Sequence, residues 1–246
     1  MNIPVIDTHV HLDQLNNPDE AILEARKAGL SGLIAVGLDR ASNEKILAFS
    51  RQYCGVVFPA IGYHPWNITI SGIRNNLDFI EKHLDEAVAI GEVGLDFKIP
   101  LAREIQQAVF EEILERGLKK NKPVIIHSRL SHEESFESVR KHNLKKAVFH
   151  WYSGPLDILK ELLLMGYYIS ATPALVYSPK HREAVTLAPL KQILIETDSP
   201  TAFQGVVSSP ADVLQTLKEL SRIKGIDIEE AAQKTTQNAR DFFGIV

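Results

Sequence analysis

Eight short β-rich runs recur along the chain: "VIDTHV", "GLIAVGL", "VVFPAIG", "AVAIGEVGL", "PVIIHS", "AVFHWY", "YYISATP" and "ILIETDSP". Several, such as "GLIAVGL" and "PVIIH", are apolar throughout rather than alternating, the pattern of parallel strands covered on both faces. Helical patterns fill the gaps. After the first run, Asn17, Pro18 and Glu20 read as N-cap, first helical residue and capping-box acid, and Gly29 as the stop. The stretch "LAREIQQAVFEEILERGLKK" sets Leu101, Ile105, Val109 and Ile113 on one face and ends on basic residues that suit the helix dipole. "PLDILKELLLMG" runs likewise from Pro155 to Gly166. Strand and helix thus alternate eight times, which predicts an α/β fold, a (β/α)8 TIM barrel; an open doubly wound sheet is the alternative that alternation alone leaves standing. No linker-like or low-complexity stretch divides the chain, so residues 1–246 are expected to form one barrel domain.

Composition narrows the setting. With 246 residues, 45% of them hydrophobic, the chain can bury a large core. Its one cysteine, Cys54, permits no intrachain disulfide, which fits a reducing, cytoplasmic location. A net charge of -4 and a pI near 6.1 argue against a broad basic surface for nucleic acid, though not against a local positive groove. No apolar run reaches the ~20 residues of a membrane helix, and the N-terminus lacks a basic region followed by an apolar one. No membrane association and no obligate protein partner are expected.

The acids and histidines fall at the strand ends. His9 and His11 end the first run, Glu92 the fourth, His127 the fifth, His150 the sixth and Asp198 the eighth, while His64 lies just past the third. This is the face on which barrel enzymes carry their active sites. Residues two apart on a strand project the same way, so His9 and His11 can reach one cation with neutral imidazoles. Glu92 has two oxygens and can bridge two cations; His127 and His150 would complete the second position, and Asp198 would close the first and accept a proton. Five strands ending in ligand-competent residues inside apolar sequence favour metal over structural use. His64 alone would read as an ordinary hydrogen-bonded histidine. Asp7, Asp13 and Asp96 read as ligands, as partners of the histidines or as turn residues, with the partner role favoured for Asp7. Asp39 reads as a loop acid, and His83, His132, His142 and His181 as structural. Ser128, Ser153 and Ser199 occupy no nucleophile elbow, Cys54 ends a helix rather than a strand, and no phosphate-binding glycine motif is present.

In that order, "DTHVHLD", "GYHPW", "GEVGLDF", "PVIIHSR", "FHWYSG" and "ETDSP" resemble the TatD-type metal-dependent deoxyribonucleases of the amidohydrolase superfamily, and "TTQNARDFFG" resembles that family's closing helix. The resemblance implies a (β/α)8 barrel, two divalent cations and hydrolysis of phosphodiester bonds in DNA. Its ligand positions fall on His9, His11, Glu92, His127, His150 and Asp198, and His64 matches a histidine that approaches substrate. One departure follows Asp198: "TAFQGVVSSPADV" stands where the family usually carries an aromatic-Leu-Pro segment and a loop with Arg and Asn. Arg129 remains, for a bidentate phosphate contact or a structural salt bridge.

The expected function is therefore a metal-dependent phosphodiester hydrolase acting on DNA ends, with Asp198, Glu92 and His64 catalytic and Arg129 and His64 binding substrate. One alternative is an amidase, lactonase or deaminase of small molecules; many binuclear relatives bridge their cations with a carboxylated lysine where Glu92 stands here. Another is a metal-stabilised binding protein without catalysis. Zn, Mn or Fe suits the donor set better than Mg. Trp66, Trp151 and Tyr152 are candidates for stacking on bases or for packing at the rim.

Overall fold

All six residues of the first strand, β1 (Val5–Val10), are buried, which is why its sequence opens on a run of apolar residues. In the computed structural model, which describes residues 4–246, it is followed by β2 (Leu30–Val36), β3 (Val57–Ile61), β4 (Ala89–Asp96), β5 (Val124–Arg129), β6 (Ala147–Phe149), β7 (Tyr168–Ala171) and β8 (Ile193–Ile195). The eight pair in sequence order, all parallel. The ring closes between the last strand and the first. Thr8 Oγ1 donates to Ile195 O at 2.9 Å, Asp198 N to His9 O at 3.0 Å, and His11 N to Ser199 O at 2.8 Å. This seam decides for the barrel and against the open sheet.

Between the strands run α1 (Pro18–Lys27), α2 (Arg40–Gln52), α3 (Ile73–His83), α4 (Arg103–Lys120), α5 (His132–Lys141), α6 (Leu156–Leu164) and α7 (Pro179–Leu187). Their boundaries follow local chemistry. Asn17 caps α1 by accepting from Glu20 N, Pro18 opens it, and Gly29, at φ +103°, leads the chain out. Asp39 caps α2 through Ser42 N at 2.9 Å, which gives this loop acid its role. After β8 comes a hairpin, β9 (Ala202–Phe203) with β10 (Val206–Val207), then α8 (Val213–Lys224) and α9 (Ile228–Phe243). Gln204 and Gly205 both have positive φ, the geometry of a type I′ turn.

Two apolar layers hold the barrel. One lies between strands and helices. The other fills the interior with Ile6, Ile34, Ala60, Ala89, Ile125, Val148 and Leu194, each from a different strand, and is plugged from below by Phe242 and Phe243 of α9. Burying the Phe242 side chain is worth about 2–3 kcal/mol by area. The opposite, carboxyl end of the strands is left to polar side chains.

Candidate metal centre

Two irregularities aim the first-strand and fourth-strand side chains. The β4–β5 register shifts between Ile90 and Val93, so that Glu92 turns into the barrel although Ala89, three residues earlier, also faces inward. Glu92 N is held by Gly37 O at 3.0 Å, and Gly62 lets the strand approach: a Cβ there would lie 2.5–2.7 Å from the backbone of Gly91 and Glu92. The β1–β2 register shifts between Asp7 and Val10. Asp7 turns to the seam instead of serving the imidazoles: its Oδ2 accepts from Thr197 Oγ1 at 2.5 Å and its Oδ1 from Thr197 N and His9 N. The partner role favoured for Asp7 is thereby corrected; it braces Thr197 and the backbone of His9, not a histidine ring.

All six expected donors converge. Glu92 Oε2 lies 3.3 Å from His9 Nε2 and 3.5 Å from His11 Nε2. Asp198 Oδ1 lies 3.6 and 3.3 Å from the same two nitrogens. On the other side, Glu92 Oε1 lies 2.7 Å from both His127 Nδ1 and His150 Nε2. Outer atoms of three rings are engaged: His11 Nδ1 donates to Val36 O at 3.1 Å, His127 Nε2 to Asp96 Oδ2 at 3.2 Å, and His150 Nδ1 to Glu196 Oε1 at 3.3 Å. In the neutral rings, protons held on those outer nitrogens leave lone pairs directed at the cluster, as metal ligation requires. His9 Nδ1 is buried with no partner among the described residues; its ring stacks on His150, centroids 4.3 Å apart. Asp198 itself adopts φ +52°, a left-handed conformation that aspartate tolerates better than most residues.

The electrostatics demand positive charge in this gap. Burial opposes a charged His11, but the hydrogen bond and charge of Asp198, with Glu92, outweigh it and raise the ring to about 9. Burial likewise opposes a charged His150, yet Glu92 and Glu196 lift it well above the ordinary imidazole range. Burial pushes Glu92 upward, and the surrounding rings, His150 first, still bring it well below the usual carboxylate value. Asp198 is lowered in the same way by His11 and His9. A nitrogen-rich set with two carboxylates and aligned lone pairs fits divalent cations by its donor chemistry.

His64 behaves differently from the six. Its Nδ1 accepts from Trp66 N at 3.2 Å, so its proton is on Nε2, 3.5 Å from Glu92 Oε1. Burial holds it down to about 4, with the charge of Glu92 only partly opposing, so the ring is neutral. With its proton on Nε2 it can donate into the site, and with Glu92 and His127 it also forms a group whose ligand atoms lie close enough together to hold a metal ion.

A family model described as "TatD related DNase" matches residues 6–244. The chain belongs to that family. Deoxyribonuclease TATDN3 of Homo sapiens is 30% identical over 98% of this chain and 95% of its own length. A metal-dependent hydrolase of Bacillus subtilis, YabD, is 29% identical over 98% and 99%. The crystal structure of YjjV, a TatD homologue from Escherichia coli K12, superposes with a TM-score of 0.89 at 26% identity, covering both chains fully.

In this TatD-family chain five of the six donors, all but His9, floor a cavity of about 460 Å³, within the range of small-molecule and cofactor sites. Its wall includes Trp66, Arg129, Trp151, Tyr177, Ser178 and Thr201. Arg129, 3.9 Å from Asp96 Oδ2, is loosely paired and is the one Lys or Arg lining the cavity among the described residues. Trp66 and Trp151 reach the cavity. Tyr152 does not: it is buried, and its hydroxyl donates to Pro155 O at 2.6 Å. Phe203 of the β9–β10 hairpin packs against Trp151, ring centroids 5.1 Å apart. His181 is structural, donating from Nδ1 to Tyr152 O and accepting from Thr172 N. The residues missed in the sequence are Glu196, behind His150, and Thr201, whose hydroxyl donates to Asp198 Oδ2 at 3.1 Å. Glu196 had a signal: it stands two before Asp198, the same spacing as His9 and His11.

Proposed function

We propose that this chain is a divalent-metal-dependent hydrolase of DNA phosphodiesters, working from strand ends with two cations. His9, His11, Glu92 and Asp198 would hold one, and Glu92, His127 and His150 the other. The observation that carries this reading is the division of Glu92, one oxygen beside the His9–His11 pair and the other 2.7 Å from both His127 and His150. When bound, such cations polarise a phosphoryl oxygen and make water acidic near neutral pH. Asp198 Oδ1 faces the His9–His11 pair and would hold the cation, while Oδ2, oriented by the Thr201 hydroxyl, keeps a second lone pair to take the proton of the attacking water. His64 offers its Nε2–H to charge developing on a non-bridging oxygen, and Arg129 clamps phosphate at the mouth. The donors suit Zn, Mn or Fe better than Mg.

The test is a substrate panel with chelated protein reloaded with Mn, Zn or Mg. Cation-dependent release of nucleotides from a single-stranded DNA end, with no hydrolysis of cyclic amides or lactones, supports the reading. The reverse pattern would replace it with small-molecule amidohydrolysis.

A further inference from the structure

The indole of Trp66 belongs to two places at once. Its residue is 57% exposed and lines the mouth of the cavity, while its Nε1–H donates at 2.6 Å to Oδ2 of Asp96, a carboxylate with no exposed surface. The same oxygen accepts His127 Nε2–H at 3.2 Å. Everything else about Asp96 is already pinned. Oδ1 accepts from Lys98 N at 2.9 Å, and Gln106 grips the backbone on both sides, accepting from Asp96 N at 2.8 Å and donating to Asp96 O at 3.0 Å. Oδ2 is thus the one oxygen whose direction depends on a residue at the mouth.

We infer that Trp66 is a positioning residue for the metal centre: through Asp96 it holds His127 in the Nε2–H tautomer, with Nδ1 turned toward Glu92. This rests on the two-cation reading above. Arg129, half exposed and 3.9 Å from Oδ2, makes no hydrogen bond to it and does not share the task. Partners behind metal ligands typically alter affinity by about 10–100-fold, and Trp66 acts one bond further out, so the lower end applies.

Calorimetric titration of metal-free protein with Mn²⁺ tests this, using wild type, Trp66→Phe, Asp96→Asn and the double variant. Trp66→Phe keeps an aromatic wall and loses only the N–H. The expected result is two binding steps in wild type, and in Trp66→Phe one step weakened about tenfold with the other within twofold and the metal-free melting temperature unchanged. The double variant should bind no more weakly than Asp96→Asn, because both changes break one chain of contacts. Two unchanged steps in Trp66→Phe, fully additive losses, or weakening of both steps with a lowered metal-free melting temperature would each overturn the inference. Uptake of fewer than two cations by wild type overturns the two-cation reading itself, and is seen before any variant is compared.

Discussion

Asp198→Asn separates holding a cation from taking a proton. Thr201 donates to Asp198 Oδ2, and only Oδ1 faces the imidazoles of His9 and His11. In the variant the Thr201 hydroxyl turns to accept from the new amide nitrogen, and an amide oxygen takes the place of Oδ1. Shape and donor count survive; one negative charge and the basicity of the carboxylate do not. The second position, Glu92 with His127 and His150, does not involve the residue at all. Removing a positioned proton acceptor costs about 10²–10⁴ in rate, which is about 3–5 kcal/mol of barrier. The assay is nucleotide release from a DNA end at saturating Mn²⁺, with bound metal quantified in the same samples. A kcat within threefold of wild type at full occupancy would remove Asp198 from proton transfer and with it the proposed division between its two oxygens.

Two further outcomes concern the frame. Burial, with a backbone bond to Tyr152 only partly opposing, lowers His181 to about 4. An imidazole kept neutral in the fold but titrating near 6.5 when unfolded adds stability that is complete above about 6.5 and lost as pH falls to about 4, up to about 3 kcal/mol. Urea midpoints at pH 7 and pH 4 should therefore differ less in His181→Gln than in wild type; equal differences refute the assignment. Gly62→Ala places a methyl 2.5–2.7 Å from the backbone of Gly91 and Glu92. Overpacking of this kind costs about 1–3 kcal/mol, and here it also shifts Glu92, so urea stability and Mn²⁺ affinity should fall together.

The barrel was readable because each strand is short, apolar and bounded by helix signals, and the donors because an acid or histidine at the edge of such a run has few structural reasons to be there. What escaped was set by contacts distant in sequence. Strict alternation does not announce the shift that turns Glu92 inward three residues after Ala89. Nor does it show that Asp7 faces Thr197 across the seam, 190 residues away. The hairpin after Asp198 carries no alternation, since its strands are two residues long. A tryptophan in "GYHPW" gives no hint that its N–H reaches a carboxylate 30 residues on.

The seam also bears on when the molecule becomes active. Five of the six donors have been synthesised by residue 150, but Asp198 arrives with the last strand and is placed by contacts that span 187 to 190 residues. Such long-range closure is slow relative to local helix formation. A nascent chain not yet extended through β8, or one truncated between α7 and β8, lacks Asp198 however well its other strands have formed. If DNA is the substrate, an unfinished copy is harmless to it, and competence to cut arrives with completion of the ring.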